Sequence, residues 1–260
     1  MSECMAGYFS EILKEEQPLI IAGPCAVENF NMMDKITDSL KQRNLSIIRA
    51  GAFKPRTSPN DFQGLGIEGL KILNTIRKKY DVKILSEIVD LKYLNVMYEN
   101  VDILQVGARN MQNFELLKEL GKTNIPILLK RGMCATVNEF KCAAEYILQG
   151  GNNNLMLCER GVRSFDDCTR NLLDLSCVAI LKREMELPII VDISHSLGRK
   201  DISLEMSKAA LATGADGVMV EVHNNPAEAL SDAKQQMSLQ EFERFYNALN
   251  FPNINPGEIE

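Results

Sequence analysis

Short apolar runs alternate along this chain with longer stretches of helical period. The β-rich runs fall at residues 19–23 (LIIAG), 46–51 (SIIRAG), 82–89 (VKILSEIV) and 102–108 (DILQVGA). Four more lie at 125–132 (IPILLKRG), 154–161 (NLMLCERG), 187–195 (LPIIVDISH) and 216–223 (DGVMVEVH). Most are apolar at successive rather than alternate positions, as parallel strands covered on both faces require. Between them, residues 67–80, 169–185 and 203–212 carry the helical repeat. Thr136-x-x-Glu139 and Ser238-x-x-Glu241 read as capping boxes, the second opening a helix to about Leu249. Eight such β/α units in about 240 residues predict a single-domain α/β fold, the (β/α)8 TIM barrel, over a doubly wound open sheet. The expected divisions are a short N-terminal extension (1–18), the catalytic barrel (19–250) and a C-terminal tail (251–260).

A barrel builds its site at the carboxyl ends of its strands, and there this chain places polar residues. The first run leads to Cys25, and the second ends in Arg49 followed by Lys54, Arg56, Thr57 and Ser58. The third carries Glu87, the fourth runs into Arg109, the fifth ends at Lys130-Arg131 and the sixth at Glu159-Arg160. The seventh ends Asp192-Ile193-Ser194-His195, and the eighth Glu221-Val222-His223 with Asp232 in the loop beyond. Strands 1, 7 and 8 adjoin in a closed barrel, so Cys25, His195, Glu221 and Asp232 converge. Thiolate, imidazole and two carboxylates suit a divalent ion such as Mn²⁺, Fe²⁺, Co²⁺ or Zn²⁺. His223 is the rival ligand, ranked below His195. The cations of strands 2, 4, 5 and 6 then form an anion pocket opposite. Arg forks match phosphate oxygens and Lys adds a point charge, so a phosphorylated small molecule is the first candidate ligand. Glu28, Asp61 and Arg131 are left without a role, and Cys134, Cys142, Cys158, Cys168 and Cys177 are expected in the core.

Bulk composition removes other classes. A net charge of −6 and a pI near 5.2 argue against a nucleic-acid partner. With no Trp and 6% aromatics, base-stacking platforms are not expected either. No signal-peptide pattern opens the chain, and no apolar run is long enough to span a membrane. Seven dispersed cysteines without a CxxC pair suit a reduced, cytoplasmic setting.

The stretches IAGPCAVE, RAGAFKPRTSPNDFQGLG, LQVGARNMQNFELL, ILLKRGM, CERGVR, VDISHSLGR and EVHNNPAEALSD, in this order, resemble 3-deoxy-D-arabino-heptulosonate-7-phosphate (DAHP) synthases of the type I-beta group. The resemblance covers about residues 18–245. It implies the shikimate-pathway condensation of phosphoenolpyruvate with D-erythrose 4-phosphate. It also implies Cys25, His195, Glu221 and Asp232 as metal ligands. Arg49, Lys54, Arg109, Lys130 and Arg160 would form the phosphoenolpyruvate site, and Arg56 with Thr57 would take the phosphate end of the aldose. Lys54, Lys130, His195 and Cys25 form the implied catalytic set, and a homotetramer the implied assembly. The related 3-deoxy-octulosonate-8-phosphate synthase, using arabinose 5-phosphate, is the alternative, disfavoured by Lys54-Pro55-Arg56-Thr57-Ser58. A barrel that only binds phosphoenolpyruvate is the less favoured third reading. Ile193 stands where the group often has Pro, and Ala233-Lys234 where Gly often follows the aspartate. Family members with fused regulatory domains exist; the few residues before the first strand suggest an unfused barrel here.

Overall fold

In the computed structural model, which describes residues 8–15 and 18–249, eight parallel strands close into a barrel. They are β1 (Leu19–Gly23), β2 (Ile47–Arg49), β3 (Lys83–Ile88), β4 (Ile103–Val106), β5 (Ile127–Lys130), β6 (Leu155–Glu159), β7 (Ile189–Asp192) and β8 (Gly217–His223). Each pairs with its successor, and β1 pairs with β8 from Leu19↔Gly217 to Gly23↔Glu221, which closes the ring. The expected (β/α)8 architecture is therefore present.

Period-2 geometry organises the interior. Leu19, Ile21, Ile47, Leu85, Ile103, Leu128, Met156, Cys158, Ile190 and Met219 form one buried cluster inside the ring. The intervening residues, among them Ile20, Ile48, Ile84, Leu104, Leu129 and Val218, belong to the larger cluster under the surrounding helices. Burial on both faces explains the unbroken apolar runs.

The outer helices are α2 (Phe30–Lys41), α3 (Ile67–Tyr80), α4 (Leu94–Asn100), α5 (Phe114–Gly121), α6 (Val137–Gln149), α7 (Leu175–Glu184), α9 (Ser203–Ala212) and α10 (Leu239–Leu249). Both capping boxes form. Thr136 Oγ1 accepts the Glu139 amide at 3.1 Å while Glu139 accepts that of Thr136 at 2.7 Å. Ser238 and Glu241 exchange the same pair of bonds, at 3.2 and 2.8 Å.

Four features depart from the sequence expectation. The helix anticipated over 169–185 begins only at Leu175, capped by Asp174, because Leu172 is pinned to Val162 in an antiparallel bridge. A two-residue strand β9 (Met237–Ser238) pairs in parallel with β8. Two helices were not foreseen. The first, α1 (Tyr8–Glu15), lies within the expected extension and buries Phe9 and Leu13 against the interior cluster, stoppering the amino-terminal end of the barrel. The second, α8 (Ile193–Leu197), is a single turn directly after β7. The expected tail 251–260 and residues 1–7 lie outside the described residues. Among the described residues no helix is long and apolar enough to cross a membrane.

Candidate active site

The alternation that buries apolar side chains also builds the mouth of the barrel. Two residues beyond an inward apolar position, the next inward residue is polar: Ile47 leads to Arg49, Leu85 to Glu87, Ile103 to Gln105 and Leu128 to Lys130. Likewise Cys158 leads to Arg160, Ile190 to Asp192 and Met219 to Glu221. At the carboxyl end these side chains converge.

Cys25, His195, Glu221 and Asp232 present ligand atoms that all lie within 4.8 Å of one another. Cys25 Sγ is 3.2 Å from Asp232 Oδ2, and His195 Nε2 is 3.4 Å from Glu221 Oε1 and 3.7 Å from Asp232 Oδ2. Tetrahedral ligation at ordinary metal–ligand lengths puts ligand atoms about 3.3–3.8 Å apart. These contacts lie close to that window, and a thiol, an imidazole and two carboxylates form a donor set that could hold a divalent ion. Burial pushes the Cys25 thiol up to about 12, and the Glu221 charge adds to the shift. For Asp232 burial acts upward too, but the charges of His195, Lys54 and Arg170 outweigh it and hold the carboxyl below its usual range. Asp232 also takes a left-handed backbone, φ 49°, which is uncommon outside glycine and tolerable for Asp.

Two expected placements are refined. Cys25 sits two residues past β1, its loop bonded to the β2 loop through Val27 N–Gly51 O (2.9 Å) and Gly51 N–Cys25 O (3.3 Å). His195 stands not on β7 but on α8, where Asp192 caps the turn by accepting the His195 amide at 3.0 Å. Gly23 has a steric reason to be glycine. Its φ is 144°, and a Cβ there would meet the Arg49 carbonyl oxygen at 2.1 Å.

Beside the quartet opens a cavity walled by seven cations, Arg49, Lys54, Arg56, Arg109, Lys130, Arg160 and Arg170, against three carboxylates, Asp61, Glu87 and Asp232. In a chain of net charge −6 this local excess marks an anion site. Thr57 and His195 also line it. The cations are held in different ways. Arg49 Nη1 donates to Glu221 Oε1 at 2.7 Å and to Pro24 O at 2.8 Å, so it braces a quartet member as well as the cavity. Lys54 Nζ lies 2.9 Å from Cys25 Sγ. Lys130 is ion-paired with Asp192, and Arg160 donates to the His195 carbonyl at 3.0 Å. Arg56 leans on Asp61 at 3.2 Å and lies 4.0 Å from Asp232. Arg109 is exposed, and no described residue engages its guanidinium.

The ambiguous residues resolve. His223 does not join the quartet: its Nδ1 accepts the Asn225 amide at 3.0 Å and its Nε2 faces Glu28 at 3.6 Å. Arg131 is structural, paired with Glu159 at 3.0 Å and Asp174 at 2.9 Å and bonded to Ala135 O. Cys158 and Cys177 are buried as expected, but Cys134, Cys142 and Cys168 are exposed, because they fall on a loop, an outward helix position and an irregular segment. Sequence reading missed Arg170, Gln235 and Gln236. Arg170 lies in the segment taken for helix and reaches Asp232 at 3.6 Å and Gln235 at 3.0 Å. Gln235 Nε2 donates to Glu221 at 2.6 Å, and Gln236 Oε1 accepts the Cys25 amide at 3.0 Å. Neither glutamine carries a sequence signal, since only folding brings it to the site.

Comparison with known proteins finds relatives over most of the chain. The sequence pattern of the DAHP synthetase I family matches residues 10–251. A phospho-2-dehydro-3-deoxyheptonate aldolase of Thermotoga maritima is 48% identical over 223 residues, 86% of this chain and 66% of that protein. This chain therefore spans just under two thirds of that relative. A 2-dehydro-3-deoxyphosphooctonate aldolase of Geobacter sulfurreducens is 29% identical over 246 residues, 87% of this chain and 89% of that protein. Among solved structures, the DAHP synthase of Thermotoga maritima superposes with a TM-score of 0.85 at 47% identity, covering 88% of this chain and 67% of that one. A truncated form of the Thermotoga enzyme gives 0.81 at 43% identity, covering 88% and 83%.

Proposed function

This chain belongs to the DAHP synthetase I family, and from that premise we propose that it is a 3-deoxy-7-phosphoheptulonate synthase. It would condense phosphoenolpyruvate and D-erythrose 4-phosphate with water, giving DAHP and inorganic phosphate. One observation carries the reading: a group of four side chains able to ligate a metal and a seven-cation cavity share a wall, with His195 and Asp232 in both. Two phosphorylated substrates beside a divalent ion need that combination.

A bound divalent ion, of identity open among Mn²⁺, Fe²⁺, Co²⁺ and Zn²⁺, would supply Lewis acidity at the aldehyde oxygen or activate water. Cys25, His195, Glu221 and Asp232 would hold it. Arg109 and Arg160 would bind the phosphoenolpyruvate phosphate, with Lys54 and Lys130 at its carboxylate and reacting carbon. Arg49 would complete that half while keeping Glu221 in place. Arg56 and Thr57 would hold the phosphate of the aldose, which aims its aldehyde at C3 of phosphoenolpyruvate. C3 bonds to the aldehyde carbon, Lys130 donates a proton to the new hydroxyl oxygen, and water adds at C2. Phosphate leaves by C–O cleavage as C2 becomes the ketone, and of the two protons water gives up, one restores Lys130 and the other leaves on the phosphate. Cation-lined walls compensate the phosphate charge throughout. Working as a homotetramer in the cytoplasm is part of the same proposal.

The octulosonate reading is the alternative. The Lys54-Pro55-Arg56-Thr57 loop favours the four-carbon aldose, as does the higher identity to the heptonate enzyme. Phosphate release from phosphoenolpyruvate, measured side by side with erythrose 4-phosphate and arabinose 5-phosphate, tests it. Turnover should need the four-carbon aldose, cease after chelation and return with a divalent ion. Preference for arabinose 5-phosphate, or full activity after exhaustive chelation, would overturn the proposal.

A further inference from the structure

Asp192 has no part in the roles above and does not line the cavity, yet it touches both halves of the site. Its side chain is fully buried at the end of β7. Oδ1 accepts the His195 amide at 3.0 Å, Oδ2 lies 2.8 Å from His195 Nδ1, and Oδ2 is also ion-paired with Lys130 Nζ. The amide and the ammonium are donors, and an ionised carboxylate only accepts, so a neutral ring can meet Oδ2 at hydrogen-bond distance only by donating. The neutral His195 ring must therefore carry its proton on Nδ1. That leaves Nε2 as a bare lone pair facing Glu221 Oε1 and Asp232 Oδ2. Three acceptor atoms pointing at one another are reconciled by a cation between them.

We propose that Asp192 is the positioning residue that joins the metal half of the site to the anion half. It fixes His195 in the Nδ1–H form that frees Nε2 for the metal, and the same oxygen anchors Lys130 at the cavity. The identity of the metal and of the anion rests on the function proposed above; the coupling itself rests on the contacts of Asp192. A carboxylate behind a ligating histidine orients the ring and raises its basicity, and its loss weakens metal binding by ~10- to 100-fold. Asn cannot replace it, because one of its two side-chain atoms is a donor and would oppose His195 or Lys130.

The chain has two histidines, and they should show opposite tautomers. His223 Nδ1 accepts the Asn225 amide, so its proton belongs on Nε2. Two-bond ¹H–¹⁵N correlation on the metal-free, imidazole-labelled full chain, at a pH where both rings are neutral, reads this without any substitution. His195 is expected as Nδ1–H and His223 as Nε2–H; a predominant Nε2–H form at His195 overturns the proposal. In parallel, Co²⁺ titration followed through the Cys25 thiolate absorption, and calorimetric binding of phosphoenolpyruvate, compare three proteins. Asp192→Asn should weaken Co²⁺ by ~10- to 100-fold and weaken phosphoenolpyruvate too. Lys130→Met should weaken phosphoenolpyruvate and leave Co²⁺ affinity at the wild-type value. Wild-type affinity for either ligand in Asp192→Asn refutes the coupling. Failure of the wild type to turn over either aldose, with the tautomers as stated, would sink the functional reading and leave the role of Asp192 standing.

Discussion

Arg109 and Arg131 both follow an apolar strand, yet substitution of each by Met should have opposite consequences. Arg131 is 4% exposed and spends its guanidinium inside the protein, on Glu159, Asp174 and the Ala135 carbonyl. Arg131→Met strands the Glu159 carboxylate, which is fully buried. Removing one partner of a buried pair costs roughly 3–5 kcal/mol. The lower end applies here, because the Asp174 side chain is 23% exposed and can turn to water. At about 2–4 °C per kcal/mol for a chain of this size, Tm should fall by roughly 6–12 °C. The folded fraction should keep its affinity for phosphoenolpyruvate. Arg109 engages no described residue, so all of its hydrogen-bonding capacity is available to a ligand. Losing one charge-assisted contact of about 1.5–3 kcal/mol should lower kcat/KM for phosphoenolpyruvate by roughly 10- to 150-fold, with Tm unchanged. Differential scanning calorimetry and steady-state phosphate release measure the two effects on the same samples. Equal loss of Tm in both variants, or an Arg109→Met enzyme with wild-type kcat/KM, would refute the division between structural and ligand-facing arginines.

Gly23→Ala should destabilise by about 2–4 kcal/mol, since the new Cβ meets an immobile carbonyl oxygen at a φ that L-residues avoid; a denaturant midpoint within error of wild type contradicts this. Asp174 supplies a pH dependence. Burial acts to raise its pKa, but Ser176, Arg131 and the Cys177 amide prevail and hold it below the ordinary value. The unfolded chain therefore takes up the proton first. This stabilisation is complete above about pH 4 and is lost as pH falls through the lower folded pKa. Asp174→Asn keeps an N-cap on α7 while removing the charge, so its unfolding midpoint should be lower at neutral pH and fall less steeply in acid; parallel acid limbs would argue against the pairing. Thr136→Ala, which breaks the capping box of α6, should cost about 1 kcal/mol without altering turnover; a fall in kcat at full saturation would show that the cap does more than hold a helix end.

Sequence alone determined the barrel and most of its site, because both follow from a period of two. A strand covered on both faces must be apolar at successive positions, and the first polar residue past each inward apolar one must emerge at the barrel mouth. Arg49, Glu87, Lys130, Arg160 and Glu221 are legible on that rule, and Cys25, His195 and Asp232 through the motifs around them. Caps were legible as well, since a capping box is complete within four residues. Tertiary structure decided what depends on distant partners. It placed His195 on a one-turn helix rather than a strand, and brought Arg170, Gln235 and Gln236 to the quartet from segments with no signal. It also separated Arg131, whose carboxylate partners lie 28 and 43 residues away, from Arg109, which lines the cavity with no described residue on its fork. A cation's role is set by whether a carboxylate has already claimed it. That is a property of space, and nothing in the order of residues along a strand encodes it.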